Sequence, residues 1–183
     1  GKAWKEFEAK HKDSGKIILS SAQKAKVEGW VDAYNKRPEA VDLVKGADKE
    51  FSLFSDMLGV PLKVRADIIN IDKGYIADVK TTASDPDVDT FKFTVEQYGY
   101  DLSAALYTDL FSRRYEKPFD FYFIVLGKRT MTCEVYKVSD LTLGKGRKKV
   151  MDAVKIYKGC LQSGKWDNEK EIKPITDYEI LEV

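Results

Sequence analysis

The spacing of apolar residues changes along the chain, and these changes divide it into predicted elements. In residues 20–45 apolar side chains recur at helical spacing behind Ser20, so we predict a helix that is capped there and broken at Pro38. From residue 49 the pattern alternates in steps of two, which is typical of strands. The predicted strands are 49–56, 61–71 and 74–82, the last two joined by a tight turn at 72–74.

Helical spacing returns in the second half of the chain. The polar segment 84–90 contains Pro86, so we expect a loop there. Residues 94–114 predict one long helix capped by Thr94. Its apolar face comprises Val95, Tyr98, Leu102, Ala105, Leu106 and Leu110. The remaining elements are strands at 119–127 and 132–138, a helix at 139–162 begun by Ser139, and a polar tail at 166–183 without a clear prediction.

This order of elements predicts a single domain, 1–183, built on one sheet. The chain shows no internal repeat and no linker long enough to divide it. We expect an α/β or α+β fold, in which helices flank a mixed sheet of about five strands. Because the sequence starts without methionine, we expect a tag remnant or a C-terminal fragment of a longer protein.

Composition narrows the class of protein without identifying it. Hydrophobic residues make up 43% of the chain, which predicts a folded domain. With 31 basic and 30 acidic residues, the formal charge of +1 neither indicates nor excludes a polyanionic partner. Cys133 and Cys160 form no disulfide framework, which fits the reducing cytoplasm. We expect no membrane partner, since the sequence contains neither a long apolar run nor a secretory signal.

Two carboxylates and an ammonium interrupt the apolar pattern in "VRADIINIDKGYIADVKTT". Strand alternation places Asp78 and Lys80 on one face and Val79 on the other. The turn brings Asp67 onto the neighbouring strand. It faces Asp78 directly if the loop residues are 72 and 73, and diagonally if they are 73 and 74. Either register brings both carboxylates within reach of one ion.

Such a pair of carboxylates favours a bound cation. Close carboxylates repel and raise each other's pKa unless a positive charge lies between them. Lys80 supplies one charge, and an all-oxygen ligand set favours Mg²⁺ or Mn²⁺ over zinc. Glu50 and the carbonyl of Val79 offer further oxygen ligands. A metal held in this way suits phosphodiester hydrolysis, because it activates water and stabilises negative charge in the transition state.

A simpler interpretation is a set of ion pairs on an exposed sheet face. Asp78 would then pair with Lys80, and Asp67 with Arg65 or Lys63. The D-x-K pattern alone occurs by chance in many proteins. The joint arrangement of a glutamate, an aspartate and D-x-K on three successive predicted strands favours the metal site.

The motifs "RADIIN", "GYIADVKTT" and "YGYDLSAALY", preceded by Glu50, resemble those of the PD-(D/E)XK nuclease superfamily. The resemblance spans roughly residues 14–140. It is strongest to the RecE and lambda-exonuclease branch, of phage or prophage origin, and more distant to RecB-type domains. It implies a restriction-endonuclease-like core. It also implies a metal bound by Glu50, Asp67, Asp78 and the carbonyl of Val79, with Lys80 assisting the nucleophile.

The resemblance also implies an activity and partners. It implies a Mg²⁺-dependent 5′→3′ exonuclease that acts on double-stranded DNA ends and leaves 3′ single-stranded tails for recombination. Relatives of this kind often form homo-oligomeric rings, here expected to be trimers or tetramers, and work with a single-strand annealing protein. Two other functional hypotheses remain: a catalytically impaired DNA-binding module with a nuclease fold, and an endonuclease of the same superfamily.

Two further groups of residues are candidates for DNA contact. Tyr100, Ser103 and Tyr107 share one helix face by spacing, although the superfamily's motif often carries glutamine where this chain has Ser103. The basic residues Lys145, Arg147 and Lys148 could contact phosphates. The simpler alternatives are core aromatics with a wet edge and a solvated helix face. His11 lacks the flanking pattern of the metal-binding histidine that many relatives carry upstream.

Overall fold

The computed structural model describes residues 1–12, 14–15 and 17–166. The predicted polar tail therefore lies outside the described residues from position 167 onward. The described helices are α1 (Lys2–His11), α2 (Ser21–Asn35), α3 (Pro38–Val44), α4 (Val88–Tyr98), α5 (Tyr100–Tyr115) and α6 (Asp140–Ser163). None of these helices is both long enough and apolar enough to cross a membrane.

The described strands are β1 (Asp48–Met57), β2 (Val60–Asn70), β3 (Tyr75–Thr82), β4 (Asp120–Gly127) and β5 (Cys133–Lys137). They form one sheet whose spatial order follows the chain. Neighbours are antiparallel except β3 and β4, which run parallel and are connected through α4 and α5. The predicted mixed sheet of five strands and the α+β class are thus confirmed.

The two faces of the sheet carry separate apolar cores. On one face, Leu110 and Phe111 of α5 are buried in a cluster with Ile76, Phe121 and Phe123 of strands β3 and β4. On the other face, small side chains from α2 and α3 pack against the alternate residues of β2, β3 and β4. The helix α6 packs mainly on α5, and its residues Val150 and Val154 also cluster with Val60 of β2. Every second residue of β3, counted from Ile76, lies on the same face as Ile76 and therefore points toward α5.

Serine caps begin two helices where the sequence predicts them. Ser20 accepts from the backbone N–H of Gln23 at 3.3 Å, and the Gln23 side chain accepts in return from the Ser20 N–H at 2.8 Å. This reciprocal capping box satisfies two backbone donors that would otherwise lack partners. Ser139 accepts from the N–H of Thr142 at 3.2 Å and begins α6. Both predicted starts are confirmed.

The predicted long helix at 94–114 is wrong, because it is two helices. The Asp87 carboxylate accepts from the N–H groups of Asp89 and Thr90, at 3.1 and 3.0 Å, and caps α4 inside the segment predicted as a loop. These hydrogen bonds lower the pKa of Asp87. Thr94 is not the cap and lies within α4. Gly99, with φ of 64°, then ends α4 and precedes α5, since glycine adopts the left-handed conformation without steric penalty.

The turn between β2 and β3 fixes the register of the hairpin. Asn70 pairs with Tyr75 in the ladder, and residues 71–74 form the connection. Gly74 adopts φ of 69°, and a Cβ there would lie 2.8 Å from the carbonyl oxygen of Pro118. The carbonyl of Gly74 also accepts from the N–H of Asp120 at 2.9 Å, which attaches the start of β4. Glycine is thus required both by the conformation and by the close approach of the next segment.

The amino-terminal helix α1 was not predicted from the sequence. None of its residues is buried, and the Phe7 ring contacts the rings of Trp4 and His11. His11 lies at its end with its ring 4.5 Å from that of Phe7. The helix therefore contributes no buried residue to either core of the sheet.

Candidate active site

The register of the hairpin brings the two predicted carboxylates together. The ladder between β2 and β3 ends at the pair of Ile68 with Ala77, and one further step in the same register places Asp67 opposite Asp78. This is the direct register of the two alternatives considered above. At that point the Asp67 Oδ2 atom accepts from the backbone N–H of Val79 at 3.0 Å. The carboxylate of Asp67 thus lies against β3, beside Asp78 and the peptide of Val79.

Asp78 and Lys80 lie on the face of the sheet that α5 covers, as the alternation predicts. Their side chains form an ion pair and are largely shielded, with 17% of Asp78 and 25% of Lys80 exposed. Burial raises the pKa of Asp78. The adjacent Lys80 ammonium opposes this rise in pKa, and the neighbouring Asp67 adds to it. The raised pKa shows that, for a carboxylate at this position, the loss of water outweighs the help from Lys80.

One oxygen of Asp78 lacks a hydrogen bond. The Oδ2 atom is buried and contacts the Lys80 ammonium, but without hydrogen-bond geometry. A buried carboxylate oxygen left in this state is unfavourable in an apolar protein interior. It is a suitable ligand for a hard divalent cation, which prefers oxygen donors. The residues Asp67 and Asp78 therefore fit the metal that the sequence analysis expects.

Glu50 lies next to this pair in the sheet but points elsewhere. The ladder between β1 and β2 joins Lys49 to Ile68 and Phe51 to Ala66, and it skips Glu50 and Asp67. Glu50 has φ of 53°, a left-handed conformation that is unusual for a residue other than glycine. Such strain often occurs at functional sites.

The carboxylate of Glu50 is 60% exposed and forms an ion pair with Arg65 at 2.9 Å. Across residues 1–12, 14–15 and 17–166, no three acidic, histidine or cysteine side chains form a group that could hold a metal. The predicted role of Glu50 as a metal ligand therefore stays a prediction.

The simpler ion-pair interpretation is met only in part. The pair of Asp78 with Lys80 exists. Asp67 bonds to a backbone amide, while Arg65 pairs with Glu50 and the Lys63 ammonium lies 5.3 Å from the ring centroid of Phe54. The site is therefore more than a row of surface ion pairs, because Asp67 is directed to β3 rather than to a neighbouring cation.

Tyr100 completes the surroundings of Lys80. The Lys80 ammonium lies 4.7 Å from the centroid of the Tyr100 ring, within the range of a cation–π interaction. Tyr100 is the first residue of α5 and also contacts the rings of Phe91 and Phe123. Lys80 is thus held between a carboxylate and an aromatic face, which restricts where its ammonium can lie.

The other two residues of the predicted helix face differ in their surroundings. Tyr107 is half-buried, with its ring edge-on to Phe121 at 6.4 Å, and it packs against the core. Ser103 is exposed. The packing of Tyr107 matches the alternative of a core aromatic with a wet edge. The roles of Tyr100, Ser103 and Tyr107 in DNA binding remain predictions.

The basic residues of α6 are mostly paired with acids. Lys145 pairs with Glu96 at 3.4 Å, and Arg147 makes hydrogen bonds of 2.9 to 3.1 Å to both oxygens of Asp109, which raises the pKa of Arg147. Lys149, next in the run, pairs with the buried Asp101 at 2.8 Å. In the described part of the chain, only Lys148 of these four side chains has no acidic partner. The structure thus matches the alternative of a solvated helix face for Lys145 and Arg147.

Sequence reasoning placed Tyr98 in the apolar face of a long helix, and this placement is wrong. The side chain ends α4, is 64% exposed, and stacks on Tyr100 with ring centroids 5.6 Å apart. The glycine at position 99 could have indicated the break, because glycine commonly follows the last residue of a helix.

The fold and the juxtaposition of Asp67, Asp78 and Lys80 define a protein of the PD-(D/E)XK nuclease superfamily. Comparison with family models supports this class. Residues 3–172 match the model of a PDDEXK-like domain of unknown function (DUF3799), and the chain belongs to that family.

One solved structure shows the same fold at low sequence identity. A crystal structure described as a "putative exonuclease" from Eubacterium rectale matches with a TM-score of 0.64 and 17% identity, covering 89% of this chain. This chain spans only 63% of that protein's length. A second solved structure, SSO0001, matches with 14% identity over 82% of this chain and 86% of its own, but its TM-score of 0.40 is too low to support a conclusion. No curated protein matches the sequence.

Proposed function

We propose that this domain is a metal-dependent deoxyribonuclease that hydrolyses phosphodiester bonds. The observation that carries the proposal is the placement of Asp67 beside Asp78, with the Lys80 ammonium on the same face of the sheet. The membership of the family agrees with it. The raised pKa of Asp78 supports the same conclusion, since perturbed carboxyl groups cluster at functional sites.

We assign roles by chemistry. Asp67, Asp78 and the carbonyl of Val79 would hold Mg²⁺, with Mn²⁺ as a substitute, and Glu50 would join them after leaving Arg65. When bound, the metal would polarise the phosphate and lower the pKa of a coordinated water. Lys80 would donate a hydrogen bond to the attacking water or to a phosphate oxygen. Its position between Asp78 and the ring of Tyr100 already restricts the ammonium, so little ordering is needed when substrate binds.

The finer parts of the proposal rest on resemblance. We infer a 5′→3′ exonuclease of the RecE and lambda-exonuclease branch, of phage or prophage origin, acting on duplex ends to leave 3′ tails for recombination. The motifs around Asp67, Asp78 and Tyr100 support this assignment, and a structural neighbour is described as an exonuclease. We also propose a homo-oligomeric ring, a trimer or tetramer, and a single-strand annealing partner. Action in the cytoplasm is consistent with the free Cys133 and Cys160.

The test is digestion of end-labelled linear duplex DNA beside covalently closed circular DNA, with Mg²⁺, Mn²⁺ or EDTA. We expect metal-dependent loss of the linear DNA alone, with the label at the 5′ end released first. Cleavage of the circle would instead indicate an endonuclease of the same superfamily. Absence of cleavage with both metals would refute the proposed activity.

A non-catalytic DNA-binding module is the second candidate, and one observation favours it. The carboxylate of Glu50 pairs with Arg65, so the described residues supply two neighbouring acidic ligands rather than three. This candidate predicts retained DNA binding without cleavage in the same assay. The cost of keeping Asp67 and Asp78 adjacent argues against it, since a site that binds no metal gains nothing from the repulsion between these carboxylates.

A further inference from the structure

An aromatic stack leads from the candidate catalytic lysine to the protein surface. The ammonium of Lys80 lies 4.7 Å from the centroid of the Tyr100 ring. The Tyr98 ring stacks on Tyr100, with centroids 5.6 Å apart and an angle of 22° between the planes. Tyr100 is partly buried against Phe91 and Phe123, while Tyr98 is 64% exposed. The outer ring therefore offers much of its surface to solvent.

The fold holds Tyr98 in this position by a specific local structure. Tyr98 is the last residue of α4, Tyr100 is the first of α5, and Gly99 between them has φ of 64°. This left-handed residue turns the chain so that two tyrosines separated by one residue can stack on each other. Scattered exposed aromatics are common on protein surfaces and need no explanation. Tyr98 differs because it continues a stack that begins at the site.

We propose that Tyr98 is a stacking platform for a base of the substrate strand, next to the phosphate that Lys80 contacts. The proposal rests on the proposed nuclease function and specifies how its substrate is held. The two measured distances place the Tyr98 ring at most about 10 Å from the Lys80 ammonium. Because a strand of duplex DNA advances about 3.4 Å per nucleotide, this span is within a few nucleotides of the scissile phosphate.

The stack also specifies the state of the nucleotide. A base in the interior of a duplex has both faces covered by its neighbours, so it cannot stack on a protein ring. The base on Tyr98 must therefore be terminal, frayed or single-stranded. The ring recognises a π-face rather than a hydrogen-bond pattern, so the contact is tolerant of sequence. The substrate class is thus a DNA strand whose base near the site has an open face, either at a duplex end or in an unpaired segment.

The experiment measures stacking directly and without cleavage. A duplex carries a short unpaired 5′ extension with the fluorescent base 2-aminopurine at its first, second or third nucleotide, and EDTA prevents hydrolysis. We compare the parent protein with Tyr98→Ala, Tyr98→Phe and Phe93→Ala. Phe93 is the matched control, since it is an exposed ring on the same helix α4. Binding affinity is measured in parallel by fluorescence anisotropy.

We expect the parent protein, Tyr98→Phe and Phe93→Ala to quench 2-aminopurine at one position. Tyr98→Ala should lose this quenching and bind the extension about 5- to 150-fold more weakly, the range given by stacking of one base on an aromatic ring. Its affinity for a covalently closed, fully paired duplex, which has no terminal base, should change little. Circular dichroism should show the same helix content in all four proteins, since Tyr98 is mostly exposed.

Two results would overturn the proposal, and they differ from failure of the proposed function. If the parent protein binds and cuts DNA while Tyr98→Ala keeps full quenching and affinity, the platform is wrong and the nuclease assignment stands. Equal losses in Phe93→Ala and Tyr98→Ala would also refute a specific role of Tyr98. If the parent protein neither binds nor cuts DNA, the proposed function fails, and the platform fails with it.

Discussion

Replacing Asp78 with asparagine should separate the metal-binding role of this residue from its role in folding. Asparagine keeps the shape of the side chain and removes its charge. In the absence of metal, burial raises the pKa of Asp78, so its ionised form is disfavoured in the folded protein. We expect Asp78→Asn in EDTA at neutral pH to be at least as stable as the parent protein. The gain should be no more than about 1 kcal/mol, the usual scale of a single substitution.

With divalent metal, the parent protein should instead be more stable than Asp78→Asn. A ligand that binds only the folded state at 100 times its Kd adds about 2.7 kcal/mol to the free energy of unfolding. For a domain of this size each kcal/mol raises Tm by roughly 2–4 °C, so saturating Mg²⁺ should raise the Tm of the parent protein by roughly 5–10 °C. The variant should show little of this shift. Thermal unfolding with EDTA and with a Mg²⁺ titration measures both effects.

The pH dependence in EDTA gives an independent check. A carboxyl group with a raised pKa binds its proton more tightly in the folded state, so its contribution to stability is complete below its ordinary pKa of 3.8. That contribution is lost as pH rises through the higher pKa of the folded state. Because asparagine does not titrate, the stability of Asp78→Asn should not show this fall. Asp89→Asn, which removes an exposed carboxylate of α4, is the control. An equal Mg²⁺ shift in parent protein, control and Asp78→Asn would refute the assignment of Asp78 as a ligand.

Three further predictions concern strain and charge around the site. Glu50→Gly should raise the free energy of unfolding without metal by about 1 kcal/mol, since it relieves the left-handed conformation and loses only an exposed ion pair. The same change should weaken Mg²⁺ binding. Unchanged Mg²⁺ affinity in a thermal titration would exclude Glu50 from the site. Gly99→Ala should lower the free energy of unfolding, measured in urea, by about 1–2 kcal/mol. A Cβ there would clash with no other atom, but alanine is strained at this left-handed φ. An unchanged free energy of unfolding would refute that reasoning. Lys148→Ala should lower the salt dependence of DNA binding more than Arg147→Ala, because Asp109 already neutralises the charge of Arg147. Equal slopes of log affinity against log salt concentration for the two variants would contradict this prediction.

Much of the site could be predicted because it depends on strand geometry. The period of two in β3 determines that Asp78 and Lys80 share a face, and the position of the turn limits Asp67 to two registers. Both are local consequences of the sequence. The same holds for the starts of α2 and α6, where a serine side chain bonds to the backbone three residues later.

Other features depend on contacts that a one-dimensional pattern does not contain. The apolar spacing continues across Gly99, so it predicts one helix where the left-handed glycine makes two. The acids that neutralise Lys145 and Arg147 lie 49 and 38 residues away along the chain. The orientation of Glu50 follows from its unusual φ and from Arg65 on the next strand. Pattern reasoning identifies these residues as charged and exposed, but it cannot identify their partners.

We propose that Asp67, Asp78 and Lys80 act together on a phosphodiester. The most direct measurement is the Mg²⁺-dependent rate of nucleotide release from linear duplex DNA by the parent protein, by Asp67→Asn, Asp78→Asn and Lys80→Met, and by the control Asp89→Asn. Loss of a metal or of a transition-state contact removes several kcal/mol, so we expect each site variant to be at least about 100-fold slower and the control to match the parent protein. Parent-like cleavage by any of the three site variants would contradict the account.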